Sequence, residues 1–284
     1  MEKLVVESPA KLNLGLNVVS KRDDGYHNLE TVFVPLMLSD RITFKKSDKI
    51  SVTTNSDFLN NLKDNIVLQA INELEKKVSQ NISVDIFIDK KIPIGGGLGG
   101  GSSNAAVTLK TINRIFNLGL DSKELIGIAL KLGSDVPYFL NPVCSFAESR
   151  GEHLFPLNIE IPYPILLVNP QIKIDTKWAF SKIKPKIPER NLKDLFSIRF
   201  TEFDTLREHV TNDFEEIVFN EYPEIKKIKT ELYELGAQFA LMSGTGSTVY
   251  GIFSNLQKAE WAEENFKQKY FTFLNNPFLQ GSIT

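Results

Sequence analysis

The sequence predicts an α+β protein of two domains, on three observations. Val84, Ile86 and Ile88 alternate with polar neighbours from Ser83 to Asp89, the period of a half-buried strand, whereas Ala105, Leu109, Ile112 and Phe116 recur at helical spacing. Between them the stretch PIGGGLGGGSSNAA, Pro93 to Ala106, holds six of the seventeen glycines and joins strand to helix. Further on, FPLNIEIPYP (Phe155 to Pro164) breaks the pattern with three prolines, which places a boundary between domains at 1–157 and 158–284.

Taken in order, the first element is a strand through Lys11-Leu12-Asn13-Leu14-Gly15-Leu16-Asn17, with polar and small residues on one face and leucines on the other. Lys11 and Asn13 therefore point the same way. A lysine on the polar face of a strand is ordinarily a solvated charge. RDDGYHNLE, Arg22 to Glu30, follows as a turn that sets an aromatic ring, Tyr26, beside an imidazole, His27. These two read equally as packing residues and as a binding pair. After the strand at Ser83 to Asp89, the glycines deliver the chain to a helix N-terminus. Its first amides lack internal partners, and glycine lets the backbone approach a ligand, so the natural occupant is phosphate. The P-loop pattern is excluded because Ser102-Ser103 stands where Lys-Ser/Thr is required. Gly95, Gly97 and Gly100 satisfy G-x-G-x-x-G, but the acid that a dinucleotide fold needs about 20 residues on falls at Asp121, which reads as an N-cap of the helix Ser122 to Leu132.

Asn117 and Gly119 stop the first helix, and in GSDVPYFL Asp135 reads as an N-cap ahead of Pro137 or as a functional carboxylate. Cys144 lies in an apolar stretch and reads as a buried structural thiol. Past the boundary come a strand at Ile165 to Val168 and a polar, Lys-rich surface excursion at Ser181 to Leu195. Helices follow around Asp204 to Val210 and Pro223 to Leu235, and a last one spans Leu256 to Lys269. A strand pair flanks Ser243-Gly244-Thr245-Gly246-Ser247-Thr248, which reads as a hairpin turn or as a second set of amides closing on phosphate or substrate.

Composition narrows the partners. With 33 basic against 35 acidic residues and a formal charge of −2, the chain has no footprint for nucleic acid or acidic lipid, and small-molecule substrates are expected. One cysteine excludes an internal disulfide. No apolar run reaches membrane length and no leader pattern opens the chain, so a cytoplasmic protein without a membrane partner is expected. Composition leaves the oligomeric state open.

The segments SPAKLNLGL, DGYH, IPIGGGLGGGSSNAA, GSDVPYFL and LMSGTGSTVYG occur together in this order, and the combination resembles the GHMP kinases. SFAESRGEHLFPL, NPQIKIDTKWAF and NDFEEIVFNEYPEI extend the likeness over most of the chain. DGYH and the lysine strand match the branch that phosphorylates 4-diphosphocytidyl-2-C-methyl-D-erythritol in the non-mevalonate route to isoprenoids. The alternatives are another small-molecule kinase, of the homoserine or mevalonate type, and a non-catalytic nucleotide-binding regulator. Ser149 stands where the family usually has glycine; the segment Ser47 to Lys63 and the last ten residues match nothing. The resemblance implies a ribosomal-S5-like N-terminal domain and a ferredoxin-like C-terminal domain, with ATP as co-substrate and Mg²⁺ as its metal. It implies that Pro93, Gly95, Gly96, Gly97, Leu98, Gly99, Gly100, Gly101, Ser102 and Ser103 bind ATP, one of the two serines meeting Mg²⁺. It also implies that Asp135 would accept the hydroxyl proton, and that Lys11 would keep it ionised and offset charge on the moving phosphoryl group. By the same resemblance Tyr26 and Phe180 would sandwich the cytosine, His27 would read its edge, Asn13 would meet the sugar alcohol, and Gly244 and Gly246 would line the acceptor. Trp178 is the rival for the role of Phe180.

Overall fold

The computed structural model describes residues 3–60, 65–196, 200 and 202–278. Of the stretches that match no motif, residues 61–63 and 279–284 lie outside the described residues. The chain divides into two compact units. The first takes Met1–Ala10, Met37–Ile92 and Gly99–Pro142, and the second Lys11–Leu36, Pro93–Leu98 and Val143–Thr284. Two long paired strands, β1 (Lys3–Lys21) and β2 (His27–Lys46), contribute residues to both. The second unit thus draws on three stretches of chain, and a cut between 157 and 158 would take two of them from it.

In the first unit, β3 (Ser51–Thr54) lies parallel to β4 (Val84–Asp89), and β4 pairs antiparallel with β2 from Arg41 to Lys46. Val84, Ile86 and Ile88 are buried and Phe87 is exposed, the alternation the sequence predicts. After the short α1 (Asp57–Asn60), α2 (Ile66–Val78) starts at Asn65, whose side chain accepts from Val67 N. Val67, Ala70, Ile71 and Leu74 form its buried stripe, which faces α3 (Gly100–Ile115) and α4 (Ser122–Leu132). α4 opens with the expected cap at Asp121, which forms a reciprocal capping box with Glu124. A 3-10 turn at Pro137–Leu140 packs against α3 and α4.

In the second unit, β5 (Ser145–Ser149) pairs antiparallel with Leu29 to Phe33 of β2, and β6 (His153–Pro156) with β5. A separate antiparallel sheet holds β7 (Ile165–Asn169), β8 (Phe239–Met242), β9 (Val249–Ile252) and β10 (Phe271–Asn275), in the order β10-β7-β9-β8. The helices are α5 (Thr176–Lys182), α6 (Leu192–Leu195), α7 (Phe203–His209), α8 (Glu215–Glu221), α9 (Pro223–Glu234) and α10 (Leu256–Phe266). Ile225, Ile228 and Leu232 of α9 and Ala259, Ala262 and Phe266 of α10 share one core with Leu166, Val168, Ala240 and Val249 of the sheet. α10 stops three residues before the expected Lys269, because the chain must turn there into β10. The expected surface excursion hides α6, capped by Asn191 and anchored by the buried Leu192.

Candidate active site

Lys11 and Asn13 are 4% and 2% exposed. The lysine is therefore not the solvated charge that a strand's polar face ordinarily carries, since both faces of β1 are covered. A buried ammonium requires acceptors. Lys11 Nζ donates to Asn13 Oδ1 at 2.5 Å and lies 4.8 Å from the centre of the Phe33 ring. The Asn13 amide donates in turn through Nδ2 to Thr31 Oγ1 at 2.9 Å, and Thr31 donates to the Gly15 carbonyl at 2.6 Å. Burial keeps the Tyr250 phenol protonated well above its ordinary range, and that hydroxyl donates to Asn13 O at 3.1 Å.

The first half of the glycine loop packs onto this strand and onto the C-terminal turn. Lys11 N donates to Leu98 O at 3.0 Å, and Thr248 N donates to Gly96 O at 3.2 Å. Ser243 Oγ accepts from Asn13 N at 3.1 Å and donates to Gly97 O at 2.9 Å. Gly97 has φ 76°, and a Cβ there would stand 2.1 Å from Ser243 O, so only glycine fits. Asn212 Nδ2 spans Met242 O and Gly244 O at 2.7 and 2.8 Å, and Glu215 accepts from Met242 N at 2.9 Å. Burial pushes the Glu215 carboxyl up, and the Lys229 ammonium at 2.6 Å opposes that shift. Lys11, Asn13, Pro93 to Leu98, Gly244 and Gly246 thus belong to one unit, and all but Ile94 and Gly95 take part in, or pack closely against, this bonded cluster.

The residues expected at the acceptor lie in the same unit. Arg22 N donates to Tyr26 O at 2.8 Å to close the predicted turn, and His27 opens β2. The imidazole of His27 stacks on Phe180, centroids 5.2 Å apart at 30°, while Phe180 meets Phe214 edge-on at 4.9 Å. Tyr26 is 55% exposed and carries the Arg150 guanidinium 4.7 Å from its ring centre. Desolvation, assisted by Lys21, lowers the His27 pKa, which leaves a neutral ring with one donor and one acceptor. Trp178 meets Tyr222 edge-on at 5.9 Å and is half-buried against the hydrophobic core, a packing position.

Gly99 to Ser103 and Asp135 belong to the other unit. Gly99 caps α3 with φ 71° and no side-chain bond, so the first amides of the helix receive no side-chain cap from that position. Ser103 is fully buried with its hydroxyl 2.8 Å from Ser8 Oγ, whereas Ser102 is half-buried. The first helical turn is anchored by Asp40, whose carboxylate is fully buried. It accepts from Lys91 N at 2.8 Å, Ile92 N at 2.9 Å, Asn104 Nδ2 at 2.9 Å and the Lys90 ammonium. Asp135 is not an N-cap: Val136 holds that position of the 3-10 turn and no side chain caps it. Cys144 is half-buried with its thiol pushed up to about 11 by desolvation, in keeping with an unreactive residue.

Sequence reasoning missed Thr31, Asp40, Asn212 and Tyr250. Only a partner distant in the sequence, 16 positions away for Thr31 and 237 for Tyr250, reveals the task of each.

Residues 65–141 match the model of the GHMP kinases N terminal domain, and residues 192–272 that of the GHMP kinases C terminal domain. The 4-diphosphocytidyl-2-C-methyl-D-erythritol kinase of Thermodesulfovibrio yellowstonii is 38% identical over 273 residues, 93% of this chain and 94% of that protein. The enzyme of the same name from Bacteroides fragilis is 42% identical over 255 residues, 88% and 92% of the two chains. A crystal structure of 4-(cytidine 5'-diphospho)-2C-methyl-D-erythritol kinase superimposes with a TM-score of 0.81 at 29% identity, covering 95% of this chain and 98% of that one. Homoserine kinase from Cytophaga hutchinsonii gives 0.75 at 17% identity, covering 97% and 95%, a likeness of fold alone.

Proposed function

The chain belongs to the GHMP kinases, in the family of the 4-diphosphocytidyl-2-C-methyl-D-erythritol kinases, and on that premise we propose that it transfers the γ-phosphate of ATP to the 2-hydroxyl of 4-diphosphocytidyl-2-C-methyl-D-erythritol. The observation that carries this reading is the burial of Lys11 in a cluster that also contains the first half of the glycine loop. The side chain donates to Asn13, while the backbone of the same residue holds Leu98. A cation kept dry at the edge of a phosphate loop suits a reaction in which positioning and charge stabilisation do most of the work.

Gly95 to Ser103 and the uncapped start of α3 hold the triphosphate, with backbone amides as donors and the helix N-terminus as the positive pole. Mg²⁺, held with the triphosphate, would supply positive charge to neutralise it. Ser102 would be its serine, because it is half-buried whereas Ser103 is fully buried against Ser8. Asp135 takes the proton of the attacking hydroxyl and Lys11 offsets charge on the moving phosphoryl group. For the acceptor, Tyr26 and Phe180 offer aromatic faces to the cytosine, and neutral His27 offers its one donor and one acceptor to the ring edge. Asn13, Gly244 and Gly246 lie on the sugar-alcohol side. The reaction is expected in the cytoplasm.

The deciding experiment measures ADP release with ATP and Mg²⁺, offering 4-diphosphocytidyl-2-C-methyl-D-erythritol, mevalonate and homoserine separately, and identifies the product by phosphorus NMR. Turnover with the cytidyl acceptor alone supports the reading. Turnover with another acceptor refutes the assignment of Tyr26, His27 and Phe180, and ATP binding without turnover on any of the three refutes the kinase reading.

A further inference from the structure

The bonds around Asn13 have a direction. A carbonyl only accepts, so the 2.6 Å contact between Thr31 Oγ1 and Gly15 O consumes the single hydroxyl proton of Thr31. What Thr31 then presents to Asn13 is a lone pair, and only the NH₂ end of the amide can satisfy it, at 2.9 Å. The oxygen end is thereby turned toward Lys11 Nζ, which donates to it at 2.5 Å. Flipping the amide would bring NH₂ against the ammonium, two donors facing each other, and would draw the Thr31 proton away from Gly15. Thr31 is 1% exposed, so water does not substitute readily for either partner. Gly15 has φ 84° inside β1, and Thr31 supplies its carbonyl with a donor.

We infer that Thr31 is a positioning residue for phosphoryl transfer: its hydroxyl sets the polarity of the chain Lys11 to Asn13 to Thr31 to Gly15, and so holds the Asn13 oxygen on the Lys11 ammonium. This rests on the proposed role of Lys11. Asn13 consequently has its oxygen committed to the lysine, and what it offers an acceptor hydroxyl is the remaining lone pair of that oxygen or the second proton of Nδ2. Thr31 touches no substrate in this account and acts only through the amide.

The test is a double-mutant cycle on kcat. Thr31→Val keeps shape and removes the hydroxyl; kcat is expected to fall about tenfold, the worth of one buried hydrogen bond, with the KM for ATP unchanged. Thr31→Ser, which retains the hydroxyl, is expected to restore kcat. In an Asn13→Ala background Thr31→Val is expected to cost nothing further. Equal losses in both backgrounds, or a serine variant as slow as the valine variant, would overturn the inference. Should the valine variant fail to fold, solvent exchange of the Asn13 side-chain amide in ¹⁵N-labelled wild-type protein decides: slow exchange is expected, and rapid exchange refutes the bond to Thr31. Lys11→Met separates the two levels. If it retains wild-type kcat the catalytic reading of Lys11 fails; if it is inactive while Thr31→Val turns over normally, only the inference fails.

Discussion

Replacing Gly97 by alanine tests how closely the phosphate loop is fitted. The new Cβ would lie 2.1 Å from Ser243 O, 3.0 Å from Ser243 C and 3.1 Å from Gly246 O, against roughly 3.4 Å for ordinary contact. The Ser243 peptide must retreat by more than an ångström, and it takes with it the bonds from Ser243 Oγ to Gly97 O and from Ser243 N to Thr248 O, each 2.9 Å. At about 1 kcal/mol per buried hydrogen bond that contributes about 2 kcal/mol, and the left-handed backbone at φ 76° adds about 1–2 kcal/mol for a residue with a Cβ. The expected loss is therefore about 3–4 kcal/mol. Gly119→Ala is the control: its φ is 72° and nothing lies within 4 Å of the added carbon, so it suffers only the backbone cost of about 1–2 kcal/mol. Urea unfolding of both variants measures the difference, and the KM for ATP shows whether the loop has lost its nucleotide geometry. Two variants of equal stability, with ATP KM unchanged in Gly97→Ala, would refute the fitted-loop argument.

Asp40→Asn replaces a carboxylate that accepts from four donors by an amide that can satisfy only some of them, and it leaves Lys90 charged and buried. Urea unfolding is expected to show a loss of about 3–5 kcal/mol, and the double variant with Lys90→Met to recover part of it. Glu215 has its folded pKa raised above 4.5 by burial, so between that value and the raised one the native state binds more protons than the unfolded state, and stability falls as pH rises. Glu215→Gln is expected to flatten that decline in unfolding free energies measured from pH 4.5 upward; an unchanged slope would exonerate Glu215. Tyr26→Ala is expected to raise the acceptor KM by one to two decades with ATP KM unchanged, since stacking of a base on an aromatic ring contributes about 1–3 kcal/mol. Asp135→Asn is expected to lower kcat by about 10²- to 10⁴-fold at constant ATP affinity, and normal turnover in that variant would deprive Asp135 of its proposed role as base.

The elements with strong local signals were legible. The strand before the glycines follows from its alternation, α4 from the Asp121 and Glu124 pair, and the hairpin of β8 and β9 from the glycines between them. What escaped was set by long-range pairing. β2 has no alternation from Thr31 to Val34, where both faces are covered, and in its second half the buried Asp40 interrupts the alternating series Leu36, Leu38, Ile42 and Phe44. The same cover hides the state of Lys11: a window of seven residues gives the face on which a side chain stands, and the other layers of the unit decide whether that face meets water.

Ser149 shows how a departure from a family pattern becomes intelligible once the backbone is known. Its φ is 63°, the left-handed region where glycine is at ease and a residue with a Cβ loses about 1–2 kcal/mol. The side chain offsets this: Ser149 Oγ accepts from Arg22 Nη1 at 3.0 Å and donates to Glu152 Oε1 at 3.2 Å. Arg22 also donates to Asp24, and Asp24 Oδ1 accepts from Tyr26 N at 3.0 Å. Arg150, next in the chain after Ser149, lies over the Tyr26 ring. A glycine here would relieve the backbone and release one anchor of the turn that presents Tyr26. The serine therefore exchanges backbone ease for a bonded connection between the turn at 149–152 and the aromatic residue proposed to meet the cytosine.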